Sequence, residues 1–269
     1  MKVILVTGAT SGFGKLIAEG LTTKGHKVYG TRLPDFKESD VNIGFPLLEL
    51  DVTSDVSVEH CVAELIKREG RVDVLINNAG VSIAGAIEDT EVDEARWQME
   101  VNFFGPLRMI HAVLPHMRTK NEGRILTMGS IGGHIGLPYQ GIYSAAKFGL
   151  EAINEALRLE LRGSGIDSAV VCPGDFKTGL TGARVYTKNA RSSHNAQQMA
   201  ITMGIAEHEE QNSLDPSMVA DIYVQLVDKS SLNVRYIVAS AMQRFSLVVK
   251  RLLPANMFES IIAKSYKIP

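Results

Sequence analysis

Short runs of β-branched and aliphatic residues alternate along this chain with longer segments in which apolar residues recur at helical spacing. The short runs predict seven strands, at Val3 to Thr7, Lys27 to Thr31, Leu47 to Leu50, Val72 to Asn77, Arg124 to Gly129, Asp167 to Cys172 and Arg235 to Ala239. Strands that alternate with helices form βαβ units. The pattern therefore predicts an α/β fold, with a doubly wound parallel sheet of about seven strands and helices on both faces.

Two of the segments between these strands carry clear helical stripes of apolar residues. We expect both stripes to pack into the core rather than contact a ligand; they comprise Val58, Val62, Leu65 and Ile66 after Asp55, and Leu150, Ile153, Leu157 and Leu161 after Tyr143. The chain has no internal repeat and no low-complexity linker. Residues 1–269 are therefore predicted to form a single domain.

The C-terminal third departs from this alternation. Residues 178–214 mix Gly, Ser, Asn, Gln and charged residues with weak periodicity, which predicts a substrate lid or loop. Asp215 and Pro216 predict the start of a new helix, with Asp as the cap and Pro in the first turn. Residues 242–269 predict an amphipathic helical extension that packs on the body or on a partner, with a role at a membrane surface as the alternative.

Composition limits the classes of function. The chain has 269 residues, 45% of them hydrophobic and 22% charged, with a formal net charge of −2 and a pI near 6.4, so nucleic-acid binding has little support. Two scattered cysteines, Cys61 and Cys172, form no disulfide framework and favour a reducing, cytoplasmic setting. The N-terminal apolar run ends at Val6, too short for a secretion signal, and no stretch predicts a transmembrane helix.

Tyr143 and Lys147 stand in the string YSAAK, thirteen residues after Ser130. A spacing of four puts the phenol and the ammonium on one face of a helix. An ordinary tyrosine titrates near pH ~10, and a nearby ammonium is expected to lower the pKa of Tyr143 towards the range of a general acid or base. With Ser130 holding the substrate oxygen, the set predicts redox chemistry on a carbonyl or alcohol. A Tyr and Lys at this spacing also occur on ordinary solvated helices.

A glycine-rich turn, TGATSGFG at Thr7 to Gly14, lies between the first strand and a helical pattern. Glycines let the backbone turn sharply and approach a pyrophosphate, and the following helix N-terminus offers free amides and a positive dipole end. The context suits a dinucleotide. The spacing of Gly8, Gly12 and Gly14 departs from GxGxxG, and a glycine-rich turn after a strand is also common without a ligand.

These motifs, in this order, resemble those of the short-chain dehydrogenases/reductases, specifically the compact single-domain subgroup, over nearly the whole chain. TGATSGFG is similar to the family's TGxxxGxG turn, and NNAG at Asn77 to Gly80 resembles its strand-four motif. Asn102 in VNFFG resembles the catalytic asparagine, while Ser130, Tyr143 and Lys147 match the Ser and YxxxK. PGDFKT, at Pro173 to Thr178, resembles the segment that meets the nicotinamide.

The resemblance implies a Rossmann-type fold in which residues 1–269 form one dinucleotide-binding and catalytic domain. It implies that Tyr143 gives the proton during reduction, Ser130 orients the oxygen, Lys147 also bonds the nicotinamide ribose, and Asn102 holds a water that links Lys147 to solvent. The implied cofactor-binding residues are Gly8, Thr10, Ser11, Gly12, Phe13, Gly14, Arg32, Asp51, Val52, Asn78, Ala79, Gly80, Tyr143, Lys147, Pro173, Gly174, Phe176 and Thr178. Asn102 pairing a backbone near a helix kink, and Thr178 capping a helix, are the alternatives.

Cofactor choice depends on the residue after the second strand, which here is Arg32. No acidic residue follows before Asp35, so a guanidinium is available for the 2′-phosphate and NADP(H) is favoured over NAD(H). A solvated Arg32 is the alternative. Asp51 resembles the family's adenine contact, although it might equally cap its own turn.

The histidines show no metal-ligand spacing, so we predict no metal; His134 and Tyr139 line the substrate pocket or an exposed loop. The sequence therefore predicts an NADP(H)-dependent oxidoreductase for an apolar small-molecule alcohol or carbonyl compound, similar to hydroxysteroid and retinol dehydrogenases. A non-catalytic NADP-binding regulator and, less favoured, a sugar-nucleotide epimerase or dehydratase are the alternatives. Apolar faces at Asn102 to Met117 and Tyr143 to Leu161 predict a homodimer or homotetramer, or else cover the sheet.

Overall fold

The computed structural model describes residues 1–36, 43–177 and 184–269. Within these ranges the strands are β1 Val3–Val6, β2 Lys27–Arg32, β3 Leu47–Glu49, β4 Val74–Asn77, β5 Ile83–Ala84, β6 Gly123–Met128, β7 Ile166–Pro173, β8 Val185–Tyr186 and β9 Arg235–Val238. Seven of them form one parallel sheet in the order β3-β2-β1-β4-β6-β7-β9, while β5 and β8 pair separately. The predicted sheet is confirmed, and each predicted strand ends within about two residues of its observed bounds.

Helices connect the strands of this sheet. They are α1 Gly12–Thr23, α2 Asp55–Glu69, α3 Val92–Met99, α4 Gly105–Lys120, α5 Gly141–Glu160, α6 Ala196–Gln211, α7 Ser217–Asp228, α8 Ala241–Leu252 and α9 Ala255–Ser265. A π-helical turn at Glu100–Phe104 joins α3 to α4. Because a single residue is inserted into the helical hydrogen bonding there, this turn redirects the side chain of Asn102.

The core lies in two layers, one on each face of the sheet. Successive residues of a strand point to opposite faces, so Ile4 and Val6 pack with α1 and α7, whereas Val3 and Leu5 pack with α2 and α4. Both predicted helical stripes contribute to these layers, since Val58, Val62, Leu65, Leu150, Leu157 and Leu161 are buried. Burial on both faces explains why the strands are continuous apolar runs.

The order in which the strands are added to the sheet reverses between β1 and β4. From β1, the order runs outward through β2 and β3 on one side and through β4, β6, β7 and β9 on the other. In such sheets, ligands bind in the crevice beyond the carboxyl ends of the strands at this switch point. Gly8, Asn78, Ser130 and Gly174 all follow strand ends at this edge.

The C-terminal third differs from its prediction in three details. Helix α6 lies within residues 178–214, where weak periodicity predicted only a lid or loop. Its buried face includes Thr202 beside Met199 and Met203, which dilutes the apolar signal. Helix α7 begins at Ser217, directly after Pro216, so Pro216 precedes the first turn, while Asp215 Oδ1 accepts from the Ser217 amide at 2.8 Å as the predicted cap.

The C-terminal extension is two helices, α8 and α9, broken at Pro254, rather than one. Proline disfavours helical conformation in the residue before it, which ends α8 at this point. Over the described parts of the chain, we find no helix with the length and apolar character that a membrane span requires.

Candidate active site

The glycine-rich turn has the backbone geometry that the sequence predicts for it. Gly8 and Gly12 have φ of +65° and +52°, values that glycine adopts without strain. A Cβ on Gly14 would stand 2.2 Å from the Gly8 carbonyl oxygen and 2.4 Å from Asn78 Nδ2. Any side chain at Gly14 would therefore push the turn away from Asn78, at the end of the neighbouring strand β4.

The N-terminus of α1 is suited to a phosphate group. Ser11 precedes the helix in an extended conformation, its side chain makes no capping hydrogen bond, and the first turn holds no acidic residue. Thr10 and Phe13 flank it, with Ser11 and Gly12 exposed. Unpaired amides and the positive end of the helix dipole favour an anion here. The residues present thus fit the pyrophosphate of a dinucleotide.

Asn78 fixes the turn to the end of β4. Its Nδ2 donates to the carbonyl oxygens of Thr7 at 2.9 Å and Gly8 at 3.0 Å, and Thr7 Oγ1 accepts from the amides of Asn78 and Ala79. Gly80 comes next, and a Cβ added to it would stand 3.1 Å from Asn102 Oδ1. Asn78 therefore positions the backbone of the turn, and Ala79 and Gly80 lie along the crevice beside it.

Phe13 of the glycine-rich turn and Phe176 of the PGDF segment contact each other. Their rings meet edge to face with centroids 5.6 Å apart, and Phe176 is buried. Pro173 ends β7 and Gly174 follows it at the same edge. The structure thus brings the PGDF segment against the glycine-rich turn; Thr178 lies outside the described residues.

Ser130 and Tyr143 converge at the end of β6. Ser130 Oγ accepts from the Gly132 amide at 3.0 Å, and its side chain is also a hydrogen-bond partner of the Tyr143 phenol. A methyl group on Gly132 would stand 3.3 Å from both Ser130 Oγ and Tyr143 Cε1. Gly132 therefore leaves room for the two hydroxyls to face one acceptor.

The pKa of Tyr143 is raised, so the predicted net lowering of this pKa beside Lys147 is wrong for this structure. Burial is the main cause, because it removes the water that would stabilise a phenolate. The hydrogen bond from Ser130 lowers the pKa by less, and the charges of Glu210 and Asp175 add to the increase. The phenol is therefore protonated at neutral pH.

Lys147 follows Tyr143 by one turn of α5, as predicted. Its Nζ lies 5.7 Å from the centroid of the Tyr143 ring and donates to the Met128 carbonyl oxygen at 2.7 Å. Only 5% of the residue is exposed. Burial lowers the pKa of Lys147 to about 8. Among residues 1–36, 43–177 and 184–269, no carboxylate forms an ion pair with Lys147 to offset its desolvation, and Met128 supplies only a carbonyl dipole.

Asn102 lies in the π-helical turn and is buried. Its Oδ1 accepts from the Val81 amide at 2.8 Å, and its Nδ2 donates to the Val81 carbonyl oxygen at 2.7 Å. The Asn102 side chain thus hydrogen-bonds to backbone groups, as in the alternative, but these belong to the loop after β4 and not to the kink near Gly105. Asn102 therefore positions the NNAG segment.

Arg32 ends β2, next to the glycine-rich turn, where Thr31 Oγ1 accepts from the Gly8 amide at 3.0 Å. Its NH1 donates to Glu49 Oε2 at 3.3 Å and to the Leu33 carbonyl oxygen at 3.2 Å. Glu49, from the neighbouring strand β3, is more exposed than Arg32. An exposed ion pair of this kind contributes little free energy.

Asp51 begins the loop between β3 and α2. Its Oδ1 accepts from the Thr53 amide at 2.9 Å and the Thr53 hydroxyl at 2.7 Å, while Ser54 caps α2. Asp51 thus stabilises its own turn, as the alternative to an adenine contact predicted. The cap of α2 itself is Ser54. Val52 is buried beside it and packs against the position of Gly105.

The sequence analysis did not predict a group of charged residues that forms around Arg184 and Asp175. The side chain of Arg184 is 3% exposed and pairs with Glu210 at 2.5 Å and Glu207 at 3.6 Å. Burial, followed by the charges of Glu210 and Glu209, raises the pKa of Asp175 to about 6. The motif PGDF contained Asp175, but the acidic residues that surround it come from α6, so sequence spacing held no signal for the group.

His134, Glu151 and Cys172 bring three potential ligand atoms within 4.8 Å of one another. The Cys172 thiol donates to Glu151 Oε1 at 2.9 Å, and Arg235 Nε donates to Glu151 Oε2 at 3.0 Å. Burial, then Glu151, holds the pKa of Cys172 far above its ordinary value. Because a guanidinium already compensates the carboxylate and the thiol keeps its proton, the absence of a bound metal stays our prediction. Local spacing could not predict this cluster.

Comparison with known proteins agrees with this geometry. A family model described as short chain dehydrogenase matches residues 2–189. A 3-ketodihydrosphingosine reductase from Bacteroides thetaiotaomicron is 40% identical over 269 residues, which cover 99% of this chain and 98% of the relative.

Two solved structures extend the comparison. A short-chain dehydrogenase from Streptomyces avermitilis has a TM-score of 0.80 and 31% identity, covering 99% of this chain and 96% of its own. A variant of actinorhodin polyketide ketoreductase with NADPH has a TM-score of 0.74 and 28% identity, covering 90% and 97%. Both share the overall fold of this chain.

Proposed function

The chain belongs to the short-chain dehydrogenase/reductase family, and from that premise we propose that it is an NADP(H)-dependent reductase of a long-chain ketone of the 3-ketodihydrosphingosine type. The observation that carries the proposal is the approach of Ser130, Tyr143 and Lys147 at one strand edge in a chain whose full length matches a reductase with that name.

The residues of this chain supply the proton and hold the oxygen. NADPH, when bound, supplies the hydride that reduces the carbonyl carbon. Ser130 and Tyr143 both present hydroxyls to the carbonyl oxygen, and Tyr143 gives up its phenolic proton as that oxygen gains charge. Because the pKa of Tyr143 is raised by burial, the phenol is protonated at neutral pH, which suits reduction. The Lys147 ammonium stabilises the phenolate that remains.

The charges near Tyr143 support an amino ketone as the substrate. A 3-ketodihydrosphingosine carries a primary amine on the carbon next to its ketone, together with a long alkyl chain. Asp175, with Glu209 and Glu210 near it, gives the surroundings of Tyr143 an acidic character that Arg184 opposes in part. An ammonium group would be attracted there, and it would in turn lower the pKa of Asp175.

An apolar cluster that residues of the proposed lid form with Ala84 supports an apolar tail. Buried Ala84, Met199, Met203 and Ala206 form a cluster with tyrosine rings around it, contributed by Tyr139, Tyr186 and Tyr266. Tyr139 belongs to the loop between Ser130 and Tyr143. Methionine and tyrosine side chains adapt to irregular apolar ligands. We therefore propose that residues 184–214 form part of the substrate lid.

The proposed cofactor is NADP(H), the proposed location is the cytoplasm, and the proposed assembly is a homodimer or homotetramer. Arg32 supports NADP(H), since its partner Glu49 is exposed and replaceable. Buried, free Cys61 and Cys172 are consistent with a cytoplasmic setting. Exposed Phe104 and Leu159, on the faces already singled out, support a homodimer or homotetramer.

The test is turnover of the purified protein with 3-ketodihydrosphingosine in detergent micelles, followed by NADPH absorbance and by mass spectrometry of the alcohol product. We expect reduction with NADPH and a rate at least about tenfold lower with NADH. Asp175→Asn should lower kcat/KM for the amino ketone while leaving a neutral long-chain ketone unaffected. Absence of alcohol with either cofactor would contradict the proposed substrate.

A further inference from the structure

Helix α8 has one face held to the body and one face turned away from it. Gln243 Nε2 donates to Asp175 Oδ2 at 2.6 Å, and Lys250 Nζ donates to the His134 carbonyl oxygen and lies over the Phe148 ring. Phe245 and Leu252 each follow one of these anchors by two residues, a rotation of about 200°. They therefore lie on the opposite side of α8.

This outward face is apolar. Met242, Phe245 and Leu252 are 81%, 66% and 77% exposed, and α8 buries none of its residues within the described chain. The apolar surface continues beyond the turn at Pro254, where Met257 and Ile261 of α9 are also exposed. A single exposed apolar residue needs no explanation, but several of them on two consecutive helices indicate an interaction surface.

The same segment is basic in an acidic protein. Residues 241–269 contain one acidic residue, Glu259, against five basic ones, a formal charge of +4 in a chain whose net charge is −2. The remaining residues therefore sum to −6. Arg244 and Arg251 are exposed beside the apolar row of α8, and Lys264 lies three residues after Ile261, on the same face of α9.

We propose that the outward face of α8 and α9 docks this protein on the surface of an anionic phospholipid bilayer. An apolar face rimmed by Lys and Arg is the pattern of helices that lie in the bilayer interface. Helix α8 spans about 18 Å, whereas crossing the hydrocarbon core takes about 30 Å, so the helix lies on the membrane.

A second copy of the chain is the other occupant to consider. A two-fold interface brings the same patch of both copies together. Here that would set one +4 segment against another, whereas anionic headgroups complement the charge. Charge therefore favours the bilayer.

The anchors of α8 connect this surface to the active site. Asp175 belongs to the charged group near Tyr143, and His134 lies four residues after Ser130. The residues just after α9 also contact α6, since Gln198 Nε2 donates to the Lys267 carbonyl oxygen at 2.8 Å. If the proposed function holds, a long-chain ketone would pass from the bilayer to the site beside the lid.

The test is flotation of the full chain with vesicles that contain no substrate. We expect binding to phosphatidylglycerol-containing vesicles, weaker binding to pure phosphatidylcholine, and a decrease with added salt. Phe245→Glu and Leu252→Glu should each lower the partition coefficient by about tenfold or more. Val56→Glu, at a 61% exposed position of α2, is the matched control and should bind as the unmodified protein does.

Two results would overturn the proposal. One is equal flotation of Phe245→Glu and the unmodified protein. The other is a change of oligomeric state in Phe245→Glu, measured by light scattering, without loss of vesicle binding, because that would assign the face to a second copy. Turnover of a soluble ketone is measured in parallel; since it does not need vesicles, its failure would count against the proposed function and not against docking.

Discussion

Replacing Lys147 with methionine should stabilise the protein while removing its activity. The side chain is buried, and burial lowers its pKa from 10.5 to about 8. That difference corresponds to a cost of about 3 kcal/mol for holding an ammonium inside the fold. Methionine has a similar volume and no charge, so it avoids the cost.

The gain is reduced by a lost hydrogen bond. Lys147 Nζ donates to the Met128 carbonyl oxygen at 2.7 Å, and losing this bond costs about 1 kcal/mol. A net stabilisation of about 2 kcal/mol at pH 7 remains. For a protein of this size, that raises Tm by about 4 °C.

The effect should depend on pH in a defined direction. Between pH ~8 and ~10.5 the unfolded chain keeps the Lys147 proton that the folded chain releases, so the stability of the unmodified protein rises with pH. The advantage of Lys147→Met should therefore shrink across this window. Urea unfolding followed by circular dichroism at several pH values measures it, with the exposed Lys120→Met as control. A less stable variant at pH 7, or a gap that does not change with pH, would refute the reasoning.

Three further predictions follow from the cofactor crevice and the phenol. Arg32→Asp should raise the KM for NADPH and lower that for NADH, because it replaces a phosphate partner with a carboxylate; an unchanged ratio would remove Arg32 from the phosphate site. Gly14→Ala should cost about 1–3 kcal/mol of stability through its contact with the Gly8 carbonyl, measured by denaturation, whereas Gly204→Ala, in open space, should not destabilise. Because burial raises the pKa of Tyr143, reductive kcat/KM should stay level through neutral pH while alcohol oxidation increases with pH; a reductive rate that falls between pH ~6 and ~8 would contradict a protonated phenol.

Local patterns predicted the sheet because its strands are buried on both faces and so are written as apolar runs. The same holds for the approach of Tyr143 and Lys147, which one turn of α5 enforces. The raised pKa of Tyr143 could not be predicted in this way. It depends on burial and on Glu210, which reaches the site from a helix distant in sequence.

Helix α6 was missed for a related reason. Its buried face includes Thr202, and it contacts the residues just after α9, as in the hydrogen bond from Gln198 to the Lys267 carbonyl. Tertiary packing here outweighs periodicity. The Glu49 partner of Arg32 likewise comes from a neighbouring strand, so the sequence predicted the guanidinium but not its ion pair.

The central claim is that the Tyr143 phenol gives the proton that accompanies reduction of the carbonyl. Its most direct test is the rate of NADPH oxidation by Tyr143→Phe at saturating ketone, measured beside the dissociation constant for NADPH. The account predicts a loss of roughly 10²-fold or more in kcat with NADPH affinity within about threefold of the unmodified protein. A variant that kept a near-normal kcat would contradict it.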